Sequence, residues 1–271
     1  MRVIFLLLVW TSAAFAEDFR FEITANYWPL NPTGTVLTPT DQVDLKSDIG
    51  IQGRKSEALL KVVFKPARKH RLNFEAVPYR FNGANTITRT FTFGGVTFPR
   101  HLDPSTGLVV VPTNLLQVRS QIDIDYYFGS YQYDVVSNTR GHVGVVAGVA
   151  YFHAKGVVQT PTIVTRLHNL IISPAATEER SVPLPLIGGE FRYFFTPTRK
   201  VLNINGEVNG MSLGSEGKYV QGNLNAGVAV LPIVRLQAGI NVVDADFHNG
   251  GNTRGFKLRF AGPIFAVQIH N

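Results

Sequence analysis

Apolar and polar residues alternate with a period of two through most of the chain. From Asp18 to Trp28, residues Phe19, Phe21, Ile23, Ala25 and Tyr27 share one face, and Arg20, Glu22, Thr24 and Asn26 share the other. That period predicts a strand, not a helix. A second strand covers Ser56 to Lys65, with Ala58, Leu60, Val62 and Phe64 opposite Glu57, Lys61 and Lys65. Pro66 to Lys69 turns it, because proline cannot continue a ladder. A third strand sets Leu72, Phe74 and Ala76 against Arg71, Asn73 and Glu75. The fourth begins near Leu116, with Leu116, Val118, Ile122, Ile124 and Tyr126 against Gln117, Arg119, Gln121, Asp123 and Asp125. The fifth, His142 to Ala154, is weakly polar on both faces, so its facing stays open. The sixth spans Leu186 to Phe195, with Glu190 and Arg192 on its polar face. The seventh carries Glu207, the eighth Asn223 and Asn225, and the ninth Arg235, Gln237 and Asn241. The last sets Phe256, Leu258 and Phe260 against Lys257 and Arg259, passes Gly262-Pro263, and continues through Phe265, Val267 and Ile269.

The connections sort into two kinds. Turns at Pro66, Asn138, Pro197 and Pro232 are tight, whereas the links Asn31 to Gly53, Gly83 to Leu115 and Gly156 to Pro185 are long. Strict alternation of short and long connections over the first six strands predicts an all-β, closed, antiparallel up-and-down transmembrane barrel. Short periplasmic turns, long outer loops and an even strand number go with it. The count is ten, with eight as the alternative. A secreted soluble β-sandwich shares the alternation. However, most strands here approach the length of about 9–11 residues that a spanning strand needs, and aromatics such as Tyr27, Trp28, Tyr126, Tyr127, Tyr193 and Phe195 collect near strand ends, as interfacial girdles do.

The N-terminus adds a location. Met1-Arg2, the apolar run Val3 to Trp10 and the small-x-small site Ala14-Phe15-Ala16 read as a cleavable export signal, leaving 17–271 as one barrel domain. The chain has no cysteine, so closure and packing must hold an exported fold together. The net charge of +7 is scattered among acids, and no motif supports nucleic acid. The predicted location is the outer membrane of a Gram-negative-type bacterium. The predicted partners are outer-membrane lipid, lipopolysaccharide and the barrel-insertion machinery; an extracellular partner stays open.

A barrel of about eight strands is filled by its own side chains. The polar faces then define a lumen network of both signs: Arg20, Glu22, Lys61, Arg71, Glu75, Arg119, Asp123, Asp125, Glu190, Arg192, Glu207, Arg235, Lys257 and Arg259. Such charges must pair, which predicts a salt-bridged plug with at most a narrow pore.

Several segments resemble the bacterial outer-membrane barrels grouped loosely with the OmpW- and OmpA-like small barrels. They are Tyr27-Trp28-Pro29 with Gly34, Val43 to Gly50, the Thr-rich Ile87 to Phe93, and the ending Phe260-Ala261-Gly262-Pro263. The resemblance implies location and fold, not a substrate. Such barrels usually end in an aromatic read by the insertion machinery, whereas this sequence ends Gln268-Ile269-His270-Asn271.

Three segments could carry chemistry. Asp244, Asp246 and His248 fall on one face near the expected outer rim, which a surface hydrolase of lipid or peptide could use; a polar loop is the plainer reading. Asp41 to Asp48 holds three carboxylates, enough to consider Ca²⁺, but without the spacing of a dedicated loop; a solvated loop or short rim helix is the alternative. The Ile87 to Phe98 stretch could be a hairpin turned by Gly94-Gly95, extending the barrel above the membrane as an exposed surface for adhesion or partner binding; a mere strand extension is the plainer reading. The favoured function is a non-enzymatic barrel, structural, adhesive or a narrow conduit, with no cofactor, metal or catalytic residue assigned.

Overall fold

The computed structural model describes residues 20–98, 117–160, 163–164, 171–172, 175–212, 214, 217–248 and 255–271. The export signal and its Ala14 and Ala16 fall outside these residues. In chain order the strands are β1 (Phe21–Thr38), β2 (Asp41–Asp44), β3 (Lys55–Ala67), β4 (His70–Thr86), β5 (Phe91–Phe93), β6 (Val96–Phe98), β7 (Gln117–Asn138) and β8 (Gly141–Gln159). There follow β9 (Ile163–Val164), β10 (Ile171–Ile172), β11 (Ala175–Phe194), β12 (Leu202–Ser212), β13 (Gly217–Leu231), β14 (Val234–His248) and β15 (Gly255–His270). Ten of them, β1, β3, β4, β7, β8 and β11 to β15, pair antiparallel with their neighbours, and β15 returns to β1, so the sheet closes. The tenfold count holds; β2 is an extra strand on the loop-side end of β1.

The tight turns follow local chemistry. Between β7 and β8, Gly141 sits at φ 136°, where a Cβ would meet the Arg192 carbonyl oxygen at 1.8 Å. Only glycine fits there.

Several strands outrun the membrane. β7 has 22 residues and β11 has 20, about twice what spanning requires. The alternation therefore changes sign along them. On the turn side the exposed face is apolar, with Phe21, Ile23, Phe74, Tyr131, Val145, Ile240 and Val267 turned outward, and the buried face is polar. Loopward of Tyr27, Ala76, Tyr127 and Tyr151 the pattern inverts. Trp28, Leu30, Val77, Tyr79, Phe81, Ile122, Ile124, Tyr126 and Phe152 are buried inside, while Asp123 and Asp125 face outward. In register, Ala76, Tyr127 and Tyr151 form the last outward apolar row, and Val77, Tyr126 and Phe152 the first inward one. Outside the barrel, lipid gives way to water at that row, and the apolar residues move inside.

The inversion corrects part of the predicted lumen. Arg119, Asp123, Asp125, Lys257 and Arg259 lie on the outer face of the loop-side wall, because Val118, Ile122, Ile124, Phe256, Leu258 and Phe260 occupy its interior. Arg20 is exposed at the turn-side end.

The mouth is filled too. The segment 39–54 folds inward and buries Val43, Leu45, Ile49 and Ile51. Ser120 Oγ donates to the Ile49 carbonyl at 2.6 Å. β5 and β6 form the expected hairpin, turned by Gly94 and Gly95 at φ 55° and 77°, the positive values a two-residue hairpin turn favours. Phe91, Phe93 and Phe98 are buried. The hairpin expected as an exposed surface thus turns its aromatic face inward, with Phe93 against Gly156 of β8, because an apolar face beside an open mouth gains by burial.

Candidate functional site

The turn-side interior gathers buried charges of both signs. Alternation on β1, β3, β4, β11, β12 and β14 aims Glu22, Lys61, Arg71, Glu75, Glu190, Arg192, Glu207 and Arg235 into the lumen, and all but the half-buried Lys61 are buried. Lys61 Nζ lies 2.5 Å from Glu207 Oε2 and 3.4 Å from Glu190 Oε2. Glu190 also faces His142, at 3.5 Å. The Arg192 guanidinium grips Glu22 with both terminal nitrogens, at 2.7 and 2.9 Å, the bidentate geometry that makes Arg–carboxylate pairs strong. Arg71 donates through Nε to Asp134 at 2.9 Å. Asp134, Gln132 and His142 are lumen members that the sequence reading missed, because the strand end at Asp134 and the weakly polar face of β8 gave no facing.

Amides are interleaved with the charges on the same inward faces, Asn209 beside Glu207 on β12 and Gln237 beside Arg235 on β14. Gln221 donates to Glu75 at 2.9 Å and accepts from the Tyr126 and Tyr219 hydroxyls at 2.8 and 3.0 Å. Asn209 donates to Glu207 at 2.6 Å. Gln237 and Arg235 both donate to Gln268 Oε1. Among these groups a cavity of about 60 Å³ is left, room for a few waters. The chemistry is mutual neutralisation of buried charge; the groups grip one another across the lumen.

The second charged cluster closes the mouth. Arg89 Nη1 donates to Asp41 at 2.9 Å, and its Nε and Nη2 reach Asp48 at 2.9 and 2.5 Å. Asp44 caps the following turn through the Lys46 and Ser47 backbone N–H groups. The carboxylates considered for Ca²⁺ are thus engaged by an arginine and by backbone, and the segment is a short strand and turns where a helix was the alternative. Burial alone would raise the Asp41 carboxyl. Hydrogen bonds from Arg89 and from the Gln42 and Thr92 backbone outweigh it and hold the group below the ordinary aspartate range. A depressed carboxyl stabilises the fold above its unfolded pKa of about 4 and loses that contribution as pH falls through the lowered value. The protection of backbone amides in 41–54, relative to their intrinsic exchange rates, is therefore expected to fall as pH drops below about 4, and Arg89→Met should remove that acid step; an unchanged step in the variant would dissociate it from the latch.

The trio Asp244, Asp246 and His248 shares a face, as its spacing requires, and that face is the outer one. Its cross-strand neighbours are Val220, Lys218, Lys257 and Arg259, with Lys257 Nζ 3.8 Å from Asp246. Gly255 stands across from His248, and among these described neighbours there is no hydroxyl or thiol. A serine–histidine pair that the sequence reading did not single out lies elsewhere on the outer wall. His153 Nδ1 is 2.8 Å from Ser181 Oγ, and its Nε2 is 3.9 Å from Glu179. His153 lies two residues loopward of the outward Tyr151, about 7 Å above that row, at headgroup level. Its signal is a cross-strand register, which a single strand's sequence does not carry.

No protein-family model matches the sequence, and no curated protein does. Solved structures do. The outer-membrane protease OmpT from Escherichia coli superposes at a TM-score of 0.59 with 10% identity, covering 96% of this chain and 99% of that one. The toluene transporter TodX of Pseudomonas putida matches at a TM-score of 0.35, with 6% identity and coverage of 94% and 90%. The attachment invasion locus protein Ail of Yersinia pestis matches at 0.33, with 7% identity and coverage of 91% and 99%. At such identities the likeness is one of architecture. Closed sheet, lipid-facing belt and the OmpT superposition agree: this chain has the fold of a small outer-membrane β-barrel.

Proposed function

We propose that the protein resides in the outer membrane of a Gram-negative-type bacterium as a non-conducting, non-enzymatic barrel, a structural or adhesive platform whose loop-side half stands clear of the lipid. One observation carries this reading: both halves of the interior are occupied, the turn side by paired charges and amides, the loop side by an apolar core. The 60 Å³ left among the polar groups is far below an aqueous channel, which takes about sixteen strands. Lipid and lipopolysaccharide surround the belt, the insertion machinery assembles it, and an extracellular partner would meet the charged outer wall. Kinship with the OmpW- and OmpA-like barrels rests on the sequence segments alone. In planar lipid bilayers the purified protein is expected to give no stepwise current; stable unitary openings would overturn the reading.

The Ser181–His153–Glu179 arrangement favours a second reading, an esterase acting on lipid at the outer interface. Ser181 Oγ would attack an ester carbonyl while its proton passes to His153 Nδ1. The imidazolium then protonates the departing alcohol, and water drawn through the same base frees the acid. Fatty acid release from lipid vesicles that vanishes in both Ser181→Ala and His153→Ala would establish it. Absence of release from the wild type would end it.

A further inference from the structure

The loop-side half holds a cavity of about 180 Å³, apart from the charge network and bounded in part by the packed hairpin. Two rows across three strands build its wall. Ile124 of β7, Ala154 of β8 and Arg180 of β11 stand in register, and in the next row Ile122, Gly156 and Glu178 do. Ala154 and Gly156 leave the space that larger residues would fill. Phe93 of the β5–β6 hairpin roofs it: a Cβ on Gly156 would lie 3.0 Å from the Phe93 ring. Phe256 and Leu258 of β15 complete its apolar lining.

Arg180 and Glu178 both line this apolar space and are half-buried. Among the described residues neither makes an ion pair or side-chain hydrogen bond. An unpaired charge on an apolar wall is unfavourable unless something pairs with it. Size limits the partner. Drug-sized pockets run from about 300 to 1,000 Å³, whereas an engineered apolar cavity of about 150 Å³ accepts benzene. The body of the ligand is therefore one ring or a short branched chain. Charge limits it further. A carboxylate alone would meet Glu178, an ammonium alone would meet Arg180, and a neutral ring would leave both stranded.

We propose that this cavity binds a small zwitterion with a one-ring or branched apolar body, its carboxylate on Arg180 and its ammonium on Glu178. An aromatic or branched α-amino acid has that chemistry. The site is independent of whether the barrel conducts or hydrolyses.

The test uses the full barrel in lipid nanodiscs, because detergent tails would compete for an apolar cavity. Four probes share one ring: L-phenylalanine, 3-phenylpropanoate, phenethylamine and toluene. L-phenylalanine is expected to bind at least about tenfold tighter than each of the others, a difference of about 1.4 kcal/mol. Arg180→Gln and Glu178→Gln should each erase that preference. Ala154→Leu, which fills the cavity, should abolish binding while the unboiled protein keeps its fast electrophoretic migration. A preference for toluene or for either singly charged probe, binding that survives Ala154→Leu, or no saturable uptake of L-phenylalanine overturns the proposal.

Discussion

Arg192→Leu is expected to destabilise the barrel by about 3–5 kcal/mol, the range for stranding one member of a buried ion pair. Glu22 on β1 and Arg192 on β11 come from separate walls of the lumen, both are buried, and two hydrogen bonds of 2.7 and 2.9 Å join them. Losing the guanidinium leaves the Glu22 carboxylate inside a barrel that also contains Glu190 and Glu75. The paired variant Glu22→Leu/Arg192→Leu should recover most of the loss, since apolar replacement of a whole buried pair is often neutral or stabilising by about 1–4 kcal/mol. The readout is the temperature at which the fast-migrating folded band converts to the slow one, taken across wild type, both single variants and the double as a mutant cycle. If Arg192→Leu converts at the wild-type temperature, the walls are not held by this pair.

Trp28→Ala should produce a loss of similar size, about 3–5 kcal/mol, for a different reason. Trp28 is fully buried where the polar and apolar interiors meet. Its ring lies edge-on to Tyr79 at 6.0 Å, and Tyr79 packs on Phe260 at 5.0 Å. Truncation removes the keystone of that aromatic stack and leaves a void that the closed sheet cannot collapse into. Among the described residues the indole N–H has no hydrogen-bond partner. Trp28→Phe therefore discards a buried unsatisfied donor, itself a penalty of about 1–3 kcal/mol, and should fall close to wild type. Equal conversion temperatures for the alanine and phenylalanine variants would refute the packing argument.

The ten barrel strands were legible in the sequence because alternation depends only on the pleat, but their loop-side lengths were not: β1 runs on to Thr38 and β11 starts at Ala175, inside links expected to be loops. The sign of the alternation was not legible either, because period two says which residues share a face and leaves open which face is inside. Assuming lipid outside along every strand put Glu22, Lys61, Glu190 and Arg192 in the lumen and wrongly sent Asp123, Asp125, Lys257 and Arg259 there too. A local signal does mark the change. Where the apolar set switches parity, two apolar neighbours stand side by side: Tyr27-Trp28, Ala76-Val77, Tyr126-Tyr127, Tyr151-Phe152 and Val242-Val243. The cavity lined by Ala154, Gly156, Arg180 and Glu178 was beyond reach for another reason. Its wall is a register between three strands, and register is fixed by closure and turns, not by any one segment.

The ladder between β1 and β15 governs the order of assembly. It ties Glu22 to His270 and Leu37 to Gly255, so the contacts that seal the wall are the most distant along the chain. Non-local pairing of this kind forms slowly. Until β15 arrives, both β1 and β14 present open edges able to capture another chain. The ladder also lapses between the Tyr27–Phe265 and Asn31–Ala261 pairs, where Pro29 and Pro263 offer no N–H. The seam is therefore two short ladders, one on each side of the prolines. A nascent chain gains no closed intermediate before its last strand is laid down, and commitment to the native barrel comes in that final step.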